Sequence, residues 1–169
     1  MDRTKRLRRV GILCCHFARN YAYYKAGWEK GQFKRKEQFW ISLNGNFIDI
    51  CVLEWYKLFG NYEDKHHWKK VMRHDKDFKQ RMFEKLKIKQ TDLDKVHGSI
   101  KAYRDKFVAH LDSEETMNIP MIEEALDMVF FYYSEVKKIC DSTSDWPTSL
   151  EEFYEEHFQQ AVVHYGDKT

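Results

Sequence analysis

Arg104 and His110 are the two side chains in this sequence best equipped for chemistry. They sit in the stretch Tyr103-Arg104-Asp105-Lys106-Phe107-Val108-Ala109-His110, followed by Leu111-Asp112. A guanidinium is permanently cationic and meets a phosphate through paired N–H donors, whereas an imidazole titrates near neutrality and can take or give a proton. Together they suit chemistry at a phosphate ester, which needs a base for the nucleophile's proton, an acid for the leaving group and positive charge against the phosphate oxygens. Asp105 could orient the arginine or the imidazole. Lys101 and Lys106 could hold flanking phosphates, or simply keep a helix face solvated. Six residues of separation put Arg104 and His110 about 120° apart on an ideal helix. A single copy therefore brings them together poorly, and two copies meeting about a two-fold axis do so better.

The pattern around Arg104 is unusual in itself. On a wheel of about 100° per residue with Leu93 at zero, Ile100, Phe107, Leu111, Val96 and Val108 form a core-facing arc. Arg104 falls about 20° from Leu93, inside that arc, and His97 about 40°. Tyr103 and His110 fall at its flank. Burying an unpaired guanidinium costs several kcal/mol. Arg104 is expected either to pair with a carboxylate such as Asp49 or Glu54, or to face a groove or a subunit interface. His97 reads as a satisfied core histidine.

Other groups offer less. His66, His67 and His74, near Asp75 and Asp77, raise a metal site, but adjacent histidines point apart and the spacing fits no ligand set well. No metal and no cofactor is expected. Asn44 and Asn46 lie midway along an apolar segment, where they either hydrogen-bond within the core or line a cleft. The sequence has no Gly-rich phosphate loop, nucleophile elbow or paired-carboxylate signature.

The elements that must position these residues read as helices. The chain has 169 residues with 43% hydrophobic and 33% charged, a globular balance. Seven Gly and two Pro are few, while twelve Phe, ten Tyr and five Trp supply large buried area. A first helix is expected from about Arg3 to Lys25, with Phe17, Tyr21 and Tyr24 at helical spacing, and Gly27 and Gly31 bracket a break. A second runs from about Lys36 to Phe59. It carries two apolar stripes, Phe39/Leu43/Phe47/Ile50 and Trp40/Ile48/Val52/Trp55/Phe59, which predicts a central place in the bundle. Gly60-Asn61 ends it. Residues 61–90 are polar with short helices around His67–Met72 and Phe78–Lys85. Thr91 or Asp92 caps the helix that carries the Arg104 motif and runs to about Leu111. Asn118 and Pro120 open a fourth long helix, with Glu123 and Glu124 in its first turn, running to about Cys140. Thr148-Ser149-Leu150-Glu151 resembles a capping box and starts a last helix to about Tyr165. The expected fold is all-α: an antiparallel helical bundle over residues 1–140, with a C-terminal loop and helix at 141–169 packing on the same domain.

Charge is unevenly spread along the chain. Residues 1–40 hold eleven Lys/Arg and three Asp/Glu, residues 41–112 fifteen and eleven, and residues 113–169 three and thirteen. A basic front can attract phosphate, or can pack against the acidic tail. No apolar run reaches the roughly 18–20 residues that cross a bilayer, and Gly11–Cys15 is too short for a signal peptide, with Arg19 and Asn20 close behind. Cys14, Cys15, Cys51 and Cys140 read as free thiols packed as small hydrophobes, so a cytoplasmic protein is expected, without a membrane partner.

The Arg-x5-His motif within Tyr103–His110, with Asp105 after the arginine and Leu111-Asp112 behind, resembles the Arg-x(4–6)-His signature of the HEPN superfamily. It looks most like the AbiU2-like branch, named from phage abortive-infection systems. Two long aromatic-rich helices before the motif helix and one after it agree, over about residues 5–140. The resemblance implies a helical bundle that forms a homodimer, with the motifs of both subunits in one cleft. It also implies metal-independent cleavage of RNA in phage defence or a toxin–antitoxin pair, with a possible antitoxin partner. Arg104 and His110 carry over as active residues and Asp105 as their polar neighbour. Toxins of this kind that pair with a small nucleotidyltransferase often carry Tyr two residues after the His. Here that position is Asp112, which argues against that partner. Some HEPN domains keep the fold without cutting RNA, so a non-catalytic RNA- or protein-binding module is the alternative.

Overall fold

The protein is described by a computed structural model covering residues 2–108, 119–120, 122–140 and 144–166, with backbone alone at 107–108. It is mostly helical. The described residues form α1 (Arg3–Ala26), α2 (Gln38–Trp55), α3 (Trp68–Val71), α4 (Phe78–Leu86), α5 (Gln90–Tyr103), α6 (Glu123–Ile139) and α7 (Leu150–Gly166). A two-stranded antiparallel hairpin, β1 (Trp28–Glu29) and β2 (Gln32–Phe33), follows α1. No described helix is long and apolar enough to cross a membrane, and all four cysteines are free thiols.

The centre of the bundle is α1, not α2. Leu7, Val10, Cys14, Phe17 and Tyr21 recur at helical spacing and are buried, and the small Ala18, Ala22 and Ala26 are fully enclosed. With that face α1 packs against α2, α6 and α7. Gly11 admits a close approach of the segment before α7: a Cβ there would meet the Trp146 ring at 2.5 to 2.8 Å. Of the two apolar stripes on α2, one is in the core, with Ile48, Val52, Trp55 and Phe59 buried. The other is only partly covered: Leu43 and Phe47 are half-buried, Phe47 against Tyr23 at 5.2 Å, while Phe39 is 68% exposed and Ile50 is exposed, as is Leu53 further along the helix. Two apolar stripes thus do not make α2 central.

Local signals explain most boundaries. Lys30 and Gly31 both adopt positive φ (48° and 78°), the backbone of a two-residue hairpin turn, which the break at Gly27 and Gly31 did not disclose. The motif helix starts at Gln90 rather than after Thr91 or Asp92. Asp92 sits inside its first turn and accepts from the Lys89 backbone N–H at 2.9 Å. The long helix after the motif begins at Glu123, so Pro120 precedes it and Asn118 lies outside the described residues. Ser149, one residue after Thr148, is the cap of α7, its hydroxyl accepting from Glu152 N–H at 3.1 Å.

The C-terminal helix lies along α1, and Asn44 helps fasten its far end. Asn44 is buried; its amide donates to the Tyr24 carbonyl (3.0 Å) and the Tyr165 hydroxyl (3.1 Å) and accepts from Trp28 Nε1 (3.1 Å). The hydrogen-bonded-core reading thus holds for Asn44, whereas Asn46 is exposed. Asn44→Ala removes the partner of a half-buried indole N–H and loosens α7, a cost of about 1–3 kcal/mol. Thermal unfolding should show the midpoint lowered by roughly 3–10 °C, and an unchanged midpoint would remove Asn44 from this role.

Candidate functional site

Two helix ends leave α-geometry side by side. After α2 the backbone widens into a π-helical turn at Tyr56–Gly60, and after α5 it does the same at Arg104–Val108. Such turns add a residue per turn and rotate the side chains that follow. A uniform 100° wheel therefore fails beyond Tyr103. Within α5 itself the core-facing centre is Val96, Ile100 and Tyr103, all buried, so Tyr103 is inside and not at the flank. Arg104 and His97 fall at the edge of the buried face, not in its middle.

Arg104 has neither of the carboxylate partners expected of it. Asp49 accepts instead from the Tyr103 hydroxyl at 2.8 Å, and Glu54 pairs with Lys57 at 3.3 Å. The guanidinium lies over the Tyr56 ring, 3.7 Å from its centroid, a cation–π contact. Its Nε donates to Asp105 Oδ1 at 2.8 Å and its Nη2 to the same oxygen. Nη1 takes no part in these bonds, and the side chain keeps 25% of its surface exposed. Asp105 uses its second oxygen for Lys101, at 2.5 Å. Lys101 and then Arg104 hold the Asp105 carboxyl below its usual range, so it stays ionised.

The structure thus brings together Arg104, Asp105 and Lys101. Lys106 is half-buried one residue further on. His110 and Asp112 lie outside the described residues, as does the expected end of the helix at Leu111. What the arrangement can do is present a cation of fixed orientation, with one flat face on a ring and one edge on a carboxylate. The remaining edge is suited to an anion.

Three parts of this site went unread in the sequence: Tyr56, the Asp49–Tyr103 pair and the role of Gly60. One signal was present. Gly60 follows Tyr56 by four residues, and a Cβ there would run into the Tyr56 ring. Two histidines close on the same turn. His97 Nε2 meets the Gly60 carbonyl at 3.1 Å and its ring stacks on Tyr56 at 6.0 Å. His97 is thus satisfied, though half-buried. His67 Nε2 meets the Phe59 carbonyl at 2.9 Å, and its Nδ1 accepts from Lys69 N–H at 3.2 Å. His66 is bonded to Asp64 at 2.8 Å. His66 and His67 are thus committed to separate local partners, and no group of three or more metal-ligating side chains occurs among the described residues.

No protein-family model, curated protein or solved structure matches the chain. The family resemblance stands on the motif residues alone.

His67 makes the junction sensitive to acid. Burial pushes its pKa down from 6.5 to about 4. Between those values the unfolded chain takes up a proton that the folded one refuses, so stability falls as pH drops through that window. A shift of that size corresponds to roughly 3 kcal/mol over the full span. His66 is displaced in the same direction. Melting temperatures from pH 7 to pH 4 should fall, and His67→Gln, which preserves a donor and an acceptor, should flatten the slope. A His67→Gln profile parallel to that of the unaltered protein would contradict this assignment.

Proposed function

We propose that the protein is a metal-independent endoribonuclease of the HEPN kind, cutting RNA by attack of its own 2′-OH in a cleft shared by two copies. The observation that carries this reading is the Arg104 guanidinium. It is stacked on Tyr56, steered by Asp105 and left with a free edge, and it stands in the sequence six residues before His110.

In this mechanism Arg104 holds the equatorial phosphate oxygens as negative charge builds on them. His110 of one copy removes the 2′-OH proton, and its equivalent in the second copy protonates the departing 5′-oxygen. Asp105 keeps the guanidinium in its plane rather than touching the phosphate. The exposed Ile50 and Leu53 support the second copy. They lie on α2 between Asp49 and Tyr56, the two residues that meet Tyr103 and Arg104, and exposed apolar side chains beside a polar site are what an interface buries. The basic residues 1–40 would add attraction for the RNA backbone. A role in phage defence or as a toxin held by an antitoxin follows from the same resemblance. The non-catalytic alternative is favoured by one observation: Asp105 already compensates much of the Arg104 charge.

Purified protein should cleave RNA with a chelator present, and Arg104→Ala or His110→Ala should lower the rate by at least about 100-fold while leaving the melting temperature near that of the parent. Cleavage that survives either change would falsify the catalytic roles of Arg104 and His110. Leu53→Asp should shift the mass in light scattering from dimer to monomer and depress cleavage with it. A parent protein that is already monomeric while fully active would rule out the shared cleft.

A further inference from the structure

The cavity beside His97 is lined by two lysines, two histidines and a single carboxylate. It measures about 240 Å³ and lies where the start of α5 faces α3 and the turn before it, lined among others by Tyr62, Trp68, Lys69, Lys79, Asp94 and His97. Most lysines that meet an acid in this fold are plainly paired: Lys25 with Glu123, Lys57 with Glu54, Lys101 with Asp105, Lys138 with Glu135. Lys69 and Lys79 are not. Among the described residues each makes only a cation–π contact, Lys69 at 5.5 Å from the Trp68 ring and Lys79 at 5.2 Å from Phe83. The carboxylate in the lining, Asp94, is already held by Gln90 at 2.7 Å. At the mouth stands Tyr62, 57% exposed, its ring nearly at right angles to that of His67 at 5.7 Å, with the Lys70 ammonium over one face at 5.0 Å, a further positive charge beside the opening.

We propose that this cavity binds one nucleotide of a single-stranded RNA, its phosphate between Lys69 and Lys79 and its base on the Tyr62 ring. Two amines against the single Asp94 carboxylate leave a net positive charge that suits a phosphate, and an aromatic ring at the mouth suits a base. A basic groove with aromatic platforms is how proteins hold single strands without reading their sequence. An acidic peptide would use the amines but leave the tyrosine idle. The cavity is smaller than a pocket for a drug-sized ligand, which fits one unit of a chain that enters and leaves through the open side. Position argues the same way. His97 lines the cavity and stacks on Tyr56, and Tyr56 carries Arg104. Seven residues of helix separate His97 from Arg104, about 10 Å of rise, so a strand crossing Arg104 has only a short distance to run. The inference rests on the reading of Arg104 as an RNA site and extends it to a second contact.

The test uses the full chain and a fluorescein-labelled, fully 2′-O-methylated 12-nucleotide RNA, which cannot be cut, followed by anisotropy at several salt concentrations. Lys69→Ala/Lys79→Ala should weaken binding by about tenfold and make the salt dependence shallower by about one unit of slope. Tyr62→Ala should weaken it by about fivefold or more. Circular dichroism melts confirm that the variants fold, and a variant that does not is replaced by its Gln or Leu counterpart. Cavity variants that bind like the parent, with the same salt slope, would overturn the inference while leaving an Arg104-dependent nuclease intact. A poly-glutamate peptide displacing the RNA as well as unlabelled RNA does would also overturn it. A parent protein that neither binds nor cuts RNA takes down both this site and the proposed function.

Discussion

A guanidinium cannot be dry and alone, and the junction of α2 with α5 is arranged around that constraint. Arg104 follows directly on a buried turn of helix, where a carboxylate from the core would be the obvious partner. Instead the chain puts an aromatic face beneath it and the neighbouring Asp105 along one edge, and leaves the group partly wet. That solution costs less desolvation than a buried ion pair and keeps the charge available. The two π-helical turns belong to the same arrangement. Tyr56 and Arg104 each stand at the residue where α-geometry ends, and Gly60 has no Cβ to collide with the Tyr56 ring.

The surrounding structure keeps this junction in place. Residues 61–90 carry little regular helix, yet an aromatic chain ties them to the core: Trp68 on Phe78 at 5.4 Å, Phe78 on Tyr132 at 5.7 Å, Tyr132 on Phe59 at 5.6 Å, Phe59 on Trp55 at 5.4 Å. Edge and offset contacts of this kind add directional preference to the area they bury. Arg81 of α4 reinforces it, bidentate on Asp75 at 2.9 and 2.6 Å and also bonded to the buried Glu135 of α6. His67 and His97 then close on the Phe59 and Gly60 carbonyls of the π-turn. Packing, aromatic contacts and these two carbonyls together fix the plane on which Arg104 rests.

Helix number and approximate limits were legible in the sequence because apolar spacing, acidic first turns and the Thr148-Ser149 start of the last helix are local signals, although the cap is Ser149 and not Thr148. Which face of α2 is buried was not, since Phe39, Ile50 and Leu53 are as apolar as Ile48 and Val52, and only the neighbours decide between them. The turn at Lys30-Gly31 lacked the usual Asn-Gly signature. The wheel puts Arg104 in mid-core because it is centred on Leu93, which is half-buried, whereas the buried face is centred on Val96, Ile100 and Tyr103; the departure into π-geometry after Tyr103 leaves no residue pattern that a fixed wheel can register. That Asp105 orients Arg104 was legible from their adjacency; that Lys101 takes the second Asp105 oxygen and Tyr56 the flat face of the guanidinium was not, because both depend on where the helix end is directed. Tyr56 itself, 48 positions earlier in the chain, could only be found in three dimensions.

If the Arg104 cation and an imidazole drive attack by the 2′-oxygen, as proposed, the cut ends carry its signature: that attack leaves a 2′,3′-cyclic phosphate on one fragment and a 5′-hydroxyl on the other. RNA incubated with the protein in EDTA should yield those ends by mass spectrometry. Fragments bearing a 5′-phosphate and a 3′-hydroxyl, or RNA left whole, would contradict the account.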